Sequence, residues 1–236
     1  MTRRRWIADE ILEKGAALTG QHARHLGQVL RARVGQEFEI STGSEIRLAQ
    51  ITSISPERVE FSLGAIVSQA AQSVITVALS IFKFDRMEWA IEKCTELGVA
   101  RLVPVIAGRT ELHLARTATN RVERWKRIAQ AASEQSRRIS SPEISQPVKV
   151  KELIASVAGH KVVLSEVEDE LMLKHAIPSD GSTVTLAFGP EGGWKQEELD
   201  AFGAGGWTAA SLGSTILRVE TAVIAAVAIA SSVLQK

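Results

Sequence analysis

A single cysteine, Cys94, stands among 236 residues, which leaves no partner for an internal disulfide and no thiolate cluster for a zinc site. An unpaired thiol suits a reducing compartment, so a cytoplasmic protein is expected. Histidine is nearly as sparse. His22, His25, His113, His160 and His175 are scattered, with neither HExxH nor Cys/His spacing, and no metal site is predicted. Long apolar runs are also missing: the longest, residues 222–230, has nine residues, about half of the ~18 that a membrane-spanning helix needs. No membrane partner is expected, and that run reads as a buried helix. The opening Met1-Thr-Arg-Arg-Arg-Trp-Ile-Ala-Asp-Glu10 follows its positive charges with acids instead of the apolar stretch of an export signal.

What is present is unevenly placed. The net charge is only +1, yet residues 101–151 hold 11 Lys/Arg against 4 Asp/Glu, and residues 152–236 hold 5 against 11. A polyanion is expected to meet the first region and avoid the second. Candidate phosphate contacts are Arg121, Arg124, Lys126, Arg127, Arg137 and Arg138, joined by Arg3, Arg4, Arg5, Arg24 and Arg31. Each of these also reads as part of an ordinary solvated face.

Residues 1–70 read as a short arm, one helix and several strands, a small barrel-like module. The helix is predicted over 20–33, with Thr19 as N-cap and Leu26, Val29 and Leu30 on one face; strands are predicted at 37–42, 47–53 and 58–63. Ser68-Gln-Ala-Ala-Gln-Ser73 is small and polar and marks a boundary. Beyond it, from 74 to 236, strands at 74–82, 101–106, 161–165, 183–188 and 208–211 alternate with helices near 85–97, 120–138, 149–157 and 195–203. That alternation predicts an α/β fold with a parallel sheet covered by helices. The last helix, 219–235, is apolar nearly all round and is either wholly buried in one chain or shared with a subunit interface.

Residues 188–194 read Phe-Gly-Pro-Glu-Gly-Gly-Trp. Gly189, Gly192 and Gly193 follow an apolar strand and precede a helix, the place where open α/β sheets bind ligands beyond their strand ends. No Gly-Lys-Ser/Thr follows, which excludes a Walker phosphate loop and the hydrolase chemistry that goes with it, and the spacing is not the dinucleotide GxGxxG. Taken alone, the segment is either a ligand loop or a turn in which glycine supplies positive φ and Glu191 favours a helix N-terminus. A second element bears on the choice: Leu212-Gly213 ends another strand, and Ile216-Leu217-Arg218 leads into the last helix. Two such loops at neighbouring strand ends could enclose one ligand.

Gly189-Pro-Glu-Gly-Gly193 and Leu212-Gly-Ser-Thr-Ile-Leu-Arg-Val-Glu-Thr-Ala222 resemble the signatures of the small-subunit ribosomal RNA methyltransferase E (RsmE) family. Lys83-Phe-Asp-Arg-Met-Glu-Trp-Ala-Ile-Glu-Lys-Cys-Thr-Glu-Leu-Gly98, Glu123-Arg-Trp125, Ala131-Ala-Ser-Glu-Gln-Ser-Arg-Arg138 and His25-Leu-Gly-Gln-Val-Leu-Arg31 resemble its other blocks, so the likeness covers nearly the whole chain. The chain departs from the family pattern at Thr215, where Arg is frequent, at Arg24-His25, where adjacent histidines are frequent, and at Trp194, usually aliphatic or Phe. The resemblance implies a C-terminal SPOUT domain with a deep trefoil knot, an N-terminal PUA-like β-barrel and a homodimer. None of these three follows from composition or periodicity. It further implies S-adenosylmethionine-dependent methylation of uridine N3 in 16S rRNA of the small ribosomal subunit.

Carried onto this sequence, the family's cofactor pocket falls on Leu164, Ser165 and Glu166, on Gly189, Pro190, Glu191, Gly192 and Gly193, and on Leu212, Gly213, Ile216, Leu217 and Thr221. Leu164, Leu212, Ile216 and Leu217 are expected to flank adenine. Glu166 reads equally as one of the solvated acids of Glu166-Val-Glu-Asp-Glu170, and Glu220 and Thr221 as helix caps. Arg218 is the candidate catalytic residue, because a fixed guanidinium meets the charge that develops on uracil O2 and O4; its alternative is an ion pair with Glu220 or Glu191. No proton acceptor is legible, and His25 reads as a packing or RNA-facing residue. The rival readings are another SPOUT methyltransferase or an RNA-binding protein without turnover.

Overall fold

The computed structural model describes residues 5–13, 15–69, 74–180 and 182–234. Two compact units emerge, Met1–Gln72 with Ser133–Ser141, and Ser73–Ala132 with Pro142–Lys236. The return of residues 133–141 to the first unit departs from a simple division near residue 70.

The first unit contains β1 (Arg5–Ile7), β2 (Glu10–Leu12), β3 (Gly15–Thr19), α1 (Gly20–Arg24), β4 (Glu37–Ser41), β5 (Glu45–Ile54) and β6 (Arg58–Gln69). These strands make one six-stranded sheet in the order β1-β4-β5-β6-β3-β2, antiparallel except for β1 on β4. Register shifts along the β5–β6 pair bend the sheet, and Leu18, Leu26, Ile40, Ile51 and Phe61 fill its concave side. The expected arm is therefore three strands. The expected 20–33 helix is also shorter: α1 gives way to a wide π-type turn at His25–Val29, closed by Leu30 N donating to His25 O at 3.0 Å. Arg31 then ends it at φ 51. The wider turn takes Val29 off the core face, leaving it 67% exposed, and Thr19 makes no side-chain cap hydrogen bond.

Polar contacts bring residues 133–141 into this unit. Arg5 forks onto Glu39 at 2.9 and 3.1 Å and donates to the Arg137 carbonyl at 2.7 Å, and the Ser41 hydroxyl donates to the Ile139 carbonyl. His22 lies 2.9 Å from Asp9 and 3.2 Å from Glu134. Its pKa is raised, chiefly by the hydrogen bond to Asp9 and further by the charge of Glu134, against the opposing effect of burial.

The second unit runs β7 (Ile75–Ser80), α2 (Phe84–Glu96), β8 (Arg101–Ile106), α3 (Leu112–Thr117), α4 (Val122–Gln135), β9 (Glu143–Ile144), β10 (Val148–Lys149), α5 (Val150–Ser156), β11 (His160–Leu164), α6 (Leu173–Ala176), β12 (Val184–Phe188), α7 (Gln196–Ala204), β13 (Thr208–Ala210) and α8 (Val219–Leu234). Its sheet is parallel throughout, ordered β10-β8-β7-β12-β11-β13 with β9 also on β8. The central strand β12, Val-Thr-Leu-Ala-Phe, is buried at every position, as a strand covered on both faces must be. Met87, Ala90, Ile91 and Cys94 of α2, and Val223, Ala226, Val227 and Ala230 of α8, form helical stripes against one face. Val150 and Leu153 of α5 and Phe202 of α7 cover the other. Burial pushes the Cys94 thiol up to about 12, so it stays protonated and takes no part as a nucleophile. Among the described residues no helix is long and apolar enough to cross a membrane, and no cluster of ligating side chains could hold a metal ion.

Two stability measurements test this account. Trp125 is wholly buried in the α2–α4 layer, edge-on to Phe84 at 6.0 Å, and Trp125→Ala should lower unfolding free energy by about 3–5 kcal/mol in urea titrations. For His22 the raised folded pKa means its contribution is complete below the unfolded value near 6.5 and is lost as pH rises through the folded value. Melting temperatures of His22→Gln should therefore converge on those of the wild type as pH climbs from 6 to 8; a constant difference would contradict the assignment.

Candidate functional site

In the parallel ladder, Leu164 pairs with Phe188 on one side and with Ala210 on the other. β11, β12 and β13 consequently end on one level, and the loops that leave them meet around a cavity of about 360 Å3. The three walls are Leu164–Ser165–Glu166 after β11, Gly189–Pro190–Glu191 after β12, and residues 211–220 between β13 and the first turn of α8, with Arg86 of α2 at the side. Ligands of open α/β sheets lie at such strand ends.

Each wall has a local physical cause. Gly193 N donates to Pro190 O at 2.8 Å, so Pro190 to Gly193 forms a tight turn with Gly193 at φ 71. A Cβ on Gly193 would come 2.5 Å from Glu166 Oε1, so the turn requires glycine twice over. The Trp194 indole N–H donates to the Leu164 carbonyl at 3.1 Å and the ring packs edge-on against Phe202 at 4.9 Å. The tryptophan thus fastens the β12 loop to the end of β11. From outside, Arg109 donates to the Gly192 carbonyl at 2.6 Å. In the third wall, Gly213 sits at φ 129 with its N–H on the Ser211 hydroxyl at 3.1 Å. Among the described residues the backbone N–H groups of Leu212, Ser214, Thr215, Ile216 and Leu217 donate to no protein acceptor. The wall is therefore rich in main-chain donors next to apolar side chains.

Ten of the thirteen residues expected to bind the cofactor line this cavity: Leu164, Ser165, Glu166, Gly189, Pro190, Glu191, Leu212, Gly213, Ile216 and Leu217. Gly192, Gly193 and Thr221 do not. The first two form the back of the turn, against Arg109 and Glu166, and Thr221 follows the helix away from the wall. Ile216 is 85% exposed, so a flanking role for it depends on a ligand to cover it.

Arg218 is exposed on the wall and forms no ion pair among the described residues. The carboxylates considered as its partners face Arg86 instead, Glu191 at 3.1 Å and Glu220 at 3.9 Å. Arg86 went unassigned in the sequence although it lies inside the block 83–98; only the fold brings the start of α2 beside strand ends more than a hundred residues away. Glu220 was read as a cap, yet it is 9% exposed, lines the cavity, and its Oε2 has no partner among the described residues.

The candidate RNA contacts divide sharply. Arg3 and Arg4 lie outside the described residues. Arg5 is committed to Glu39, Arg24 to Glu57 at 3.0 Å, and Arg124 to Glu88 through two bonds of 2.7 and 2.8 Å. Lys126 pairs with Glu123, and Arg121 lies over the Phe84 ring at 4.8 Å. Arg138 is partly buried, which lowers its pKa. Arg31, Arg127 and Arg137 are exposed with no carboxylate partner among the described residues. Arg31 and Arg137 are also the two non-glycine residues of the described chain with positive φ, 51 and 58.

The family model described as an RNA methyltransferase domain matches residues 69–231, and the one described as an RNA methyltransferase PUA domain matches 18–64. A Bacillus subtilis protein named ribosomal RNA small subunit methyltransferase E is 30% identical over 219 residues, 87% of this chain and 85% of that one. The chain belongs to the ribosomal RNA small subunit methyltransferase E family. A Synechocystis protein of the same name is 28% identical, covering 96% of this chain and 76% of its own. The crystal structure of ribosomal RNA small subunit methyltransferase E from Neisseria gonorrhoeae, bound to S-adenosyl methionine, superposes with a TM-score of 0.81 at 29% identity over 98% of this chain and 97% of that one.

The turn at Gly193 yields a direct test. Gly193→Ala combines a strained φ with a contact on Glu166. It should cost more than about 1 kcal/mol of stability and weaken S-adenosylmethionine binding in calorimetry, whereas Gly203→Ala, in open space within α7, should leave binding unchanged and not lower stability.

Proposed function

We propose that this chain transfers a methyl group from S-adenosylmethionine to N3 of a specific uridine in 16S rRNA, on free RNA or on the small ribosomal subunit. One observation carries the reading: three loops from the level ends of parallel strands enclose a cavity with apolar side chains, unpaired main-chain donors and one spare buried carboxylate oxygen. That donor set fits S-adenosylmethionine. Leu164, Leu212 and Leu217 supply apolar surface for adenine, the N–H groups of 212 and 214–217 meet its acceptors and the methionine carboxylate, and the acidic side matches a cation.

When bound, the cofactor supplies a methyl group activated by a sulfonium. The chain's own work is then alignment and charge. Holding the uracil nitrogen in line with the methyl removes the entropic part of the barrier. Arg218, exposed at the rim and without a carboxylate partner among the described residues, supplies a cation to uracil O2 or O4 as N3 loses its proton. Phosphates meet Arg31 and Arg137, whose positive φ is backbone strain of the kind that collects at functional surfaces, together with Arg127.

The family reading extends to the architecture. Residues 1–70 act as a PUA-like RNA-holding module and 74–236 as the SPOUT catalytic domain, whose sheet topology is completed by a trefoil knot. Two copies associate through α8, which keeps Ile224, Ala225 and Ala228 incompletely buried on a helix that is apolar nearly all round. The setting is the cytoplasm, where ribosomal RNA is found.

The test is methylation of naked 16S RNA and of small subunits, with mass mapping of the product. Methyluridine at one site is expected, and methylation of a ribose or of transfer RNA would replace this reading by another member of the class. Arg218→Ala should lower kcat by about 10²–10³-fold while leaving the S-adenosylmethionine Kd within about threefold. RNA affinity should fall linearly on a log scale with rising salt, and Arg31→Ala with Arg137→Ala should reduce that slope by about one per lost phosphate contact.

A further inference from the structure

Glu220 is the second residue of α8, and the cavity it lines is also lined by Leu212, Arg218 and Glu191. Its Oε2 has no hydrogen-bond donor among the described residues. Such a buried acceptor is costly unless a ligand supplies the missing donor. The protein's nearest cation does not serve that oxygen: Arg86 approaches Oε1, at 3.9 Å, and is held more closely by Glu191, at 3.1 Å. Arg86 thereby sits beside one carboxylate oxygen, the other is buried without a donor among the described residues, and the side chain keeps 12% of its surface accessible at the cavity wall. The charged groups of the wall are Arg86 from α2, Glu166 after β11, Glu191 after β12, and Arg218 ahead of α8. Of the other elements packed on α8, β7 and β12 contain no charged residue, and α6 carries Lys174 and His175, which are exposed and do not line the cavity. The apolar residues that suit adenine, Leu164, Leu212 and Leu217, leave the Arg86–Glu220–Arg218 side for the reacting base.

We infer that Glu220 is the proton acceptor of the methyl transfer, an inference that rests on the uridine-N3 reading above. The Glu220 carboxylate accepts the hydrogen bond from uridine N3–H and takes the proton as the N3–carbon bond forms. The N3–H pair stays on nitrogen and becomes the new bond, the carbon–sulfur bond breaks with its pair left on sulfur, and the proton leaves Glu220 for water afterwards. Arg218 meets the charge that passes through O2 and O4, beside the carboxylate that takes the proton. Nothing is oxidised or reduced.

The experiment compares wild type, Glu220→Gln and Glu220→Asp in single-turnover methylation of the mapped RNA between pH 6 and 9, with S-adenosylmethionine affinity measured in parallel by calorimetry. The Gln protein should lose at least about 100-fold in rate and keep the cofactor Kd within about threefold. Its residual rate should climb with pH as solvent takes over the proton, while the wild-type rate changes little between pH 6 and 9. Should the Gln protein melt early, the Asp protein decides: a carboxylate one methylene shorter should be slower but keep the wild-type pH profile. A Gln protein as fast as wild type, a rate loss matched by lost cofactor affinity, or an Asp protein with a rate that climbs with pH would overturn the assignment. Methyluridine formed equally by all three proteins removes only the role of Glu220. A wild-type protein that methylates a different atom removes the uridine reading itself.

Discussion

The register of three parallel strands is the constraint from which the site follows. Because Leu164 faces Phe188 and Ala210 at once, β11, β12 and β13 stop together, and three chain reversals must share one space. A slip of one residue in any of these strands would turn its buried side to the other face of the sheet. It would also move its loop out of the common level. The all-buried composition of β12 and the two-sided cover by α2, α8, α5 and α7 hold that register in place.

Around the cavity, shape and charge are set by separate means. Shape comes from the Pro190–Gly193 turn, from Trp194 on the Leu164 carbonyl and from Arg109 on Gly192. These contacts tie the β12 loop to the end of β11. Charge comes from three carboxylates, Glu166, Glu191 and Glu220, against Arg86 and Arg218. A single guanidinium, Arg86, stands between two of those acids. The balance leaves a net negative wall, suited to a cofactor that arrives as a cation and departs neutral after its methyl is lost.

Much of this was legible in the sequence, and for identifiable reasons. Strand 101–106 and the helices near 84–96, 196–204 and 219–234 are periodic and well punctuated, so local pattern sufficed. The π-type turn at His25–Val29 was not legible, since it is decided by the left-handed Arg31 and by packing on the sheet. Charge counting located a basic region but could not see that Arg124 is held by Glu88, thirty-six residues away. The same blindness hid Arg86, because its partners Glu191 and Glu220 are brought to it only by the crossover connections of the parallel sheet. The Gly189–Gly193 loop showed the opposite fault: its sequence marks all three glycines alike, whereas the fold uses Gly189 at the wall and Gly193 behind it. A knot, which only the family resemblance implies, lies beyond local pattern altogether, since connection rules disfavour threading.

The most direct test of the central claim is hydrogen exchange of the backbone amides with and without S-adenosylmethionine. The unpaired N–H groups of 212 and 214–217 should exchange fast in the free protein and become protected on binding, together with residues 164–166, 189 and 191. Protection confined to the first unit, or no change in 212 and 214–217 at saturating cofactor, would contradict the claim that these three strand ends form the cofactor site.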